Sequence, residues 1–381
     1  MLALTNFGCS PKSSELVVFR GNLERTGLYN SNEKMPSGQL DWKFKKDDSR
    51  WLSNPVISQG IIFVNGGDGN FYAVDANSGE SKWVFKRDGW VGSSPAISNH
   101  IVYVGGLDKF LYAVNAKSGV ERWRYETGDM IISSPAVSDG LVYFGSYDGN
   151  LYALDANTGK EKWKYKTQGL DTPLYNTASP EHEVLGAISS SPAISNGVVY
   201  FSSWDGYLYA LEANTGTEKW KFNIDSIGST PAISNGIIYF GDDKGYLYAI
   251  DNTGHLKWKF KTQDSAFVSS AAVSNGIVYF ASGFFGGPEY KPQNDYYLYA
   301  VEAESGKLLW KSKLSATVYV LTISNNVLYF GDEDGFVFAL DAETSKELWT
   351  FKAESAISSE IVIAEGKIFF CTDAGYLYAL R

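Results

Sequence analysis

The sequence predicts an all-β chain folded as an eight-bladed β-propeller of four-stranded antiparallel blades. Three observations carry that reading. A phrase of small residues, an apolar run, Asp-Gly, Leu-Tyr-Ala-Leu-Asp and a Trp recurs through the chain, mostly at a period of about forty residues. Each copy holds four short apolar runs punctuated by tight-turn residues, as antiparallel strands require. The tryptophans and the Tyr-Ala phrases are also out of phase at the two chain ends, which a closed ring explains.

The copy from Ser133 to Trp163 shows each element in order. The first strand is predicted over Ser133–Ser138, where Ser, Pro and Ala dominate because blades converge on the axis. The second follows as Leu-Val-Tyr-Phe-Gly, and Asp148-Gly149 then supplies the positive φ of a tight hairpin. Leu-Tyr-Ala-Leu-Asp forms the third strand. Asn157-Thr158-Gly159 turns the chain into the fourth, which carries Trp163. Equivalent tryptophans stand at 42, 83, 123, 220, 258, 310 and 349. The first, Trp42, precedes any Tyr-Ala phrase, and the last such phrase, Leu377–Ala379, has no Trp after it. Gln39–Lys45 is therefore predicted to pair with the C-terminal blade and close the ring. Leu321-Thr322 and Ile361-Val362 replace Pro-Ala in the last two copies, which predicts a bulkier axial wall there.

Composition agrees with this architecture and excludes others. The 381 residues include 25 Tyr, 11 Trp and 38 Gly, suited to short strands, tight turns and flat side chains between sheets. A formal net charge of −10 argues against a nucleic-acid partner or an anionic membrane surface. No apolar run approaches the ~20 residues of a membrane-spanning helix. Two cysteines exclude a disulfide framework, and Cys371 is expected buried in a strand.

The Trp, the Gly-x-Leu-Tyr-Ala-Leu-Asp-Ala-x-Thr-Gly phrase and Ser-Ser-Pro-Ala together resemble the PQQ-like repeat propeller family. That family includes quinoprotein dehydrogenases and an outer-membrane assembly lipoprotein. The resemblance spans Phe19 to Arg381 and includes a lead-in, Phe19-Arg20-Gly21-Asn22 with Arg25-Thr26-Gly27. It implies that Trp42, Trp83, Trp123, Trp163, Trp220, Trp258, Trp310 and Trp349 dock each blade on the next. WD-type propellers carry Gly-His and Trp-Asp signatures that do not occur here.

Candidate chemistry is sparse. A quinoprotein enzyme needs PQQ, calcium ligands and a carboxylate base, and the alcohol-oxidising relatives carry an adjacent Cys pair that this sequence does not have. The acidic hairpins at Asp242-Asp243 and Asp332-Glu333-Asp334 do not follow the ligand spacing of calcium loops, and Asp in such turns bonds its own backbone. His100, His182 and His255 fall in different repeats with no metal-ligand spacing. The expectation is no catalytic residue, no metal site and no cofactor, with PQQ and calcium as the alternative.

Breaks in the repeat are more informative. Insertions at about Gln168–Ala187 and Ser282–Tyr296 fall on connections that emerge on one face, because strands alternate in direction. Non-repeat aromatics Trp51, Trp90, Tyr147, Trp204 and Phe267 fall on the same face, as do Phe284, Phe285 and Tyr290 of the second insertion. These eight residues form the candidate partner-binding face.

Residues 1–18 read as a leader or tether, and 19–381 as a single propeller. Phe7-Gly8-Cys9-Ser10 resembles the cleavage end of a bacterial lipoprotein signal, which makes Cys9 a lipidation candidate. The expected function is a monomeric, non-catalytic protein-binding scaffold of the cell envelope, with the outer-membrane β-barrel assembly machinery as a candidate partner. A small PQQ- and calcium-dependent dehydrogenase and a carbohydrate-binding surface module are the alternatives.

Overall fold

The structure is a computed structural model that describes residues 16–17, 19–29, 35–45, 53–87, 92–169, 186–224, 228–263, 267–283 and 296–381. Cys9, Trp51, Trp90, Phe284, Phe285 and Tyr290 lie outside the described residues.

Eight antiparallel sheets follow one another along the chain, each ordered from an inner to an outer strand. Blade three is representative, with Ala136–Ser138, Leu141–Gly145, Asn150–Asp155 and Glu161–Lys166. Its middle strands are buried, while its outer strand alternates half-buried and exposed residues, so only one side of that strand packs on a neighbour. The inner strand is three residues long, shorter than the six-residue phrase predicts. Pro135 has no N–H to donate, and the Ser133 hydroxyl instead accepts from the Gly145 N–H at 3.1 Å. The same bond recurs from Gly105 to Ser93, Gly241 to Ser229 and Cys371 to Ser359.

The ring closes as the phase offset predicts. Leu40–Lys45 pairs antiparallel with the last strand, Tyr376–Leu380, with Trp42 opposite Ala379 and Phe44 opposite Leu377. Residues far apart in sequence thus share blade eight, and the two chain ends pair in one sheet.

Blade junctions share one construction. The Trp123 indole N–H donates to the Ala156 carbonyl of the next blade at 3.1 Å, and its ring lies against Gly159. The other repeat tryptophans donate to Ala76, Ala116, Ala213, Asn252, Ala303 and Ala342, while Trp349 donates to Pro36. At seven of the eight junctions an aromatic ring two positions beyond the Trp also packs edge-on against a tyrosine of the next blade, as Tyr125 does on Tyr152 at 5.6 Å. Cys371 is buried and free, and burial pushes its thiol well up.

Candidate functional site

Two features break the ring's symmetry: the axis and the loop-bearing face. Residues 16–17 and 19–29 occupy the axis. Leu16–Val17 adds a fifth strand beside the inner strand Ala96–Ser98 of blade two. The following segment then crosses the inner strands of later blades. The carbonyls of Leu23, Glu24, Thr26 and Gly27 accept from the backbone N–H groups of Ile194, Ile233, Val273 and Ile323. Inner-strand groups that would otherwise face an empty channel are satisfied by this plug.

Two fully buried arginines anchor it. Arg25 donates to the carbonyls of Phe19 (2.6 Å), Pro135 (2.9 Å), Ser134 and Pro192 (3.1 Å each). Arg20 donates to the Ala271 carbonyl, and its backbone N–H donates to Glu360 at 3.0 Å. Burial lowers the guanidinium pKa of Arg20 to about 10 and that of Arg25 to about 9, so both stay charged at neutral pH. Glu360 is pushed up to about 7 by burial, against the pull of Arg20, Arg25 and the Tyr29 hydroxyl. In the sequence the two arginines stand only in a family-like lead-in, and nothing marks Glu360.

Above the plug lies a funnel of about 330 Å³, lined by Phe19, Asn54, Ser94, Ser134, Ser191, Thr230 and other small residues. Its hydroxyls link successive blades. Asn54 donates to Ser94 (2.8 Å), the Ser94 N–H to Ser134 (3.1 Å), Ser134 to Ser191 (3.0 Å) and Ser191 to Thr230 (3.2 Å). The serines therefore stitch the axis together as well as packing it. A calcium–quinone pair needs carboxylate ligands and cations against its acidic groups, and the described lining residues supply neither. Among the described residues no three His, Cys, Asp or Glu side chains group to hold a metal. The described lining of the funnel does not fit that cofactor.

On the loop-bearing face, Tyr147 of blade three and Trp204 of blade four pack edge-on, with ring centroids 5.5 Å apart. Both are half-buried. The Trp204 indole donates to Ser189 at 2.8 Å, and its backbone N–H donates to Ala187, where the first insertion rejoins the blade. Phe267 belongs to blade six, in a short strand with Phe267 opposite Gly283. Of the predicted face residues the structure describes, it brings Tyr147 and Trp204 together and places Phe267 in blade six. The acidic hairpin of blade five behaves as a turn, since Asp242 accepts from the Lys244 and Tyr246 N–H groups and from the Tyr248 hydroxyl.

Ring closure, tryptophan-docked junctions and a stitched axis define a propeller of PQQ-like repeats. The chain belongs to the family described as outer membrane protein assembly factor BamB, which matches residues 86–187, 179–287 and 293–381. Among solved structures, BamB from Moraxella catarrhalis is 16% identical, with 90% of this chain and 97% of that one covered and a TM-score of 0.69. Quinohemoprotein alcohol dehydrogenase ADHIIG from Pseudomonas putida HK5 is also 16% identical, covering 96% of this chain and 79% of that one, at 0.76. The computationally designed Ika8 protein is 17% identical over 90% of this chain and all 100% of its own, at 0.74. At these identities the structural likeness concerns the fold alone. No curated protein matches the sequence.

Proposed function

We propose that this chain is a non-catalytic protein-binding scaffold of the bacterial cell envelope, presenting its loop-bearing face to a protein partner. The carrying observation is the Tyr147–Trp204 pair, a cross-blade aromatic ledge bonded to the end of the 168–187 insertion. Half-buried aromatics held in one orientation lose little entropy on binding and suit the centre of a protein interface. Family membership makes the β-barrel assembly machinery of the outer membrane the first partner to test. The scaffold acts as a monomer with no cofactor and no nucleic acid.

The described residues include no helix long and apolar enough to cross a membrane. Leu16 pairs with Ser98, at the end of the inner strand away from the loop-bearing face. A lipid on Cys9 would therefore hold the opposite face toward the membrane and leave the aromatic ledge clear.

Crosslinking of the native envelope protein, followed by mass spectrometry, tests the reading. Links from a β-barrel assembly component to residues 168–187 or 282–296 are the expected result. Capture of no protein, together with saturable binding of PQQ and calcium, would replace it with the quinoprotein reading.

A further inference from the structure

One blade junction departs from the other seven. Elsewhere the residue two beyond the tryptophan is aromatic and packs on the next blade's tyrosine. The pairs are Phe44–Tyr72, Phe85–Tyr112, Tyr125–Tyr152, Tyr165–Tyr209, Phe222–Tyr248, Phe260–Tyr299 and Phe351–Tyr378, with centroids 5.6–6.4 Å apart. Between blades six and seven the outer-strand position is Ser312, and the tyrosine is replaced by Phe338. A cavity of about 300 Å³ opens there, lined by Ser312, Leu314, Phe330, Asp332, Phe338 and Glu347, among others. Phe338 is only half-buried, whereas Tyr72, Tyr112, Tyr152, Tyr209, Tyr248, Tyr299 and Tyr378 are buried.

The substitution also strands a carboxylate. In blade five the Tyr248 hydroxyl donates to Oδ2 of Asp242, six positions before it, whereas Tyr112, Tyr152 and Tyr209 donate to the Asp four before them, Asp108, Asp148 and Asp205, whose place in blade seven is held by Asp334. Asp332 occupies the place of Asp242. Its Oδ1 accepts the Phe336 N–H at 2.8 Å, but Oδ2 has no donor, because Phe338 carries no hydroxyl. Asp332 is 1% exposed, so the unmet acceptor is buried. Burial raises its pKa, assisted by Asp334 and opposed by Lys352.

The missing group has a template within the same molecule. Tyr125 and Tyr165 fill the slot that Ser312 leaves vacant, and their hydroxyls donate to Glu161 and Glu218 of the next outer strand. The equivalent of those glutamates in blade seven is Glu347, which lines the cavity. We propose that this notch is a receptor site for a tyrosine side chain presented by another polypeptide. The ring takes the place of the absent outer-strand aromatic against Phe338, and the hydroxyl donates to one of the two carboxylates, Glu347 or Asp332. The inference stands on the junction itself and does not depend on the loop-bearing face.

Saturation-transfer NMR of the full chain with N-acetyl-L-tyrosinamide and N-acetyl-L-phenylalaninamide tests it. The tyrosine compound is expected to bind about tenfold tighter, the worth of one hydrogen bond to a carboxylate. Glu347→Gln with Asp332→Asn should remove that preference. Ser312→Tyr should abolish binding and raise the melting temperature, so loss of binding cannot be mistaken for misfolding. The proposal is overturned if neither compound binds at millimolar concentration, if both bind equally, or if Ser312→Tyr binds undiminished. It is also overturned if binding appears only once residues 284–295 are replaced by a glycine-serine linker, since the slot would then be filled from within the chain.

Discussion

Arg25 donates a 2.9 Å hydrogen bond to the carbonyl of Pro135 from a position with no solvent exposure, which makes a residue ahead of the first repeat part of the third blade's wall. Its other bonds reach Phe19, Ser134 and Pro192, so one guanidinium joins the plug to blades three and four. Arg25→Met keeps much of the volume but leaves these carbonyls without donors. Each buried acceptor so stranded costs about 1–3 kcal/mol. Urea unfolding of Arg25→Met should show a loss of at least about 3 kcal/mol. A loss below about 1 kcal/mol would mean that water replaces the guanidinium and the plug is dispensable.

In six blades the glycine in the turn after the third strand is held to glycine by both φ and space. Gly159 has φ +71°, and a Cβ there would stand 2.7 Å from the Trp123 ring. Gly159→Ala should destabilise by about 2 kcal/mol or more, combining left-handed strain with a clash against a docked indole. Blade seven provides the reverse test. Ser345 adopts φ 57° at the equivalent turn. Ser345→Gly should stabilise by roughly 0.5–1 kcal/mol, a gain trimmed by the added freedom of the unfolded chain. Thermal melts of both variants check the pair of signs.

Glu360 predicts a pH dependence. Its folded pKa of about 7 exceeds the ordinary 4.5, because burial outweighs the attraction of Arg20 and Arg25. The folded state therefore keeps a proton that the unfolded chain releases first. The resulting stabilisation is complete below about pH 4.5 and is lost as pH rises through about 7. Glu360→Gln retains an acceptor for the Arg20 N–H and removes the titration. Between pH 5 and 8 the wild type should lose stability relative to this variant, by at most about 3 kcal/mol. Parallel stability curves over that range would show that the two arginines hold the carboxylate ionised throughout.

The ring was legible because each blade states the same pattern: alternation along Glu161–Lys166, the Asp148-Gly149 turn and the docking Trp163. Closure was legible for the same reason, since Trp42 lacks a blade of its own. The plug was not. Leu23, Glu24, Thr26 and Gly27 bind through backbone carbonyls, which leave no side-chain signature, and the segment occurs once. The bonding of Ser133 and Ser191 was not legible either, because hydroxyls that cap a neighbouring N–H look, in sequence, like small residues in a tight space. The notch at Ser312 and Phe338 was visible in principle, but only by aligning positions two beyond each tryptophan and reading the exceptions.

The partner face gives the last prediction. Trp204 is tied to both Ser189 and Ala187, whereas Tyr147 packs on it and bonds through its backbone N–H to Met130. Tyr147→Ala removes one ring of the ledge and leaves the Trp204 bonds in place. It should weaken partner capture by roughly tenfold or more, as for an aromatic hot spot, and cost about 1–2 kcal/mol in stability through the lost ring contact. Phe284→Ala with Phe285→Ala should weaken capture with little change in melting temperature. If Tyr147→Ala leaves capture by crosslinking unchanged while lowering the melting temperature, the ledge is a blade-three to blade-four packing element and the partner binds elsewhere on the ring. If both variants lose capture and keep their melting temperatures, a single interface extends from blade three to blade six, and binding has to bridge the mouth of the axial funnel.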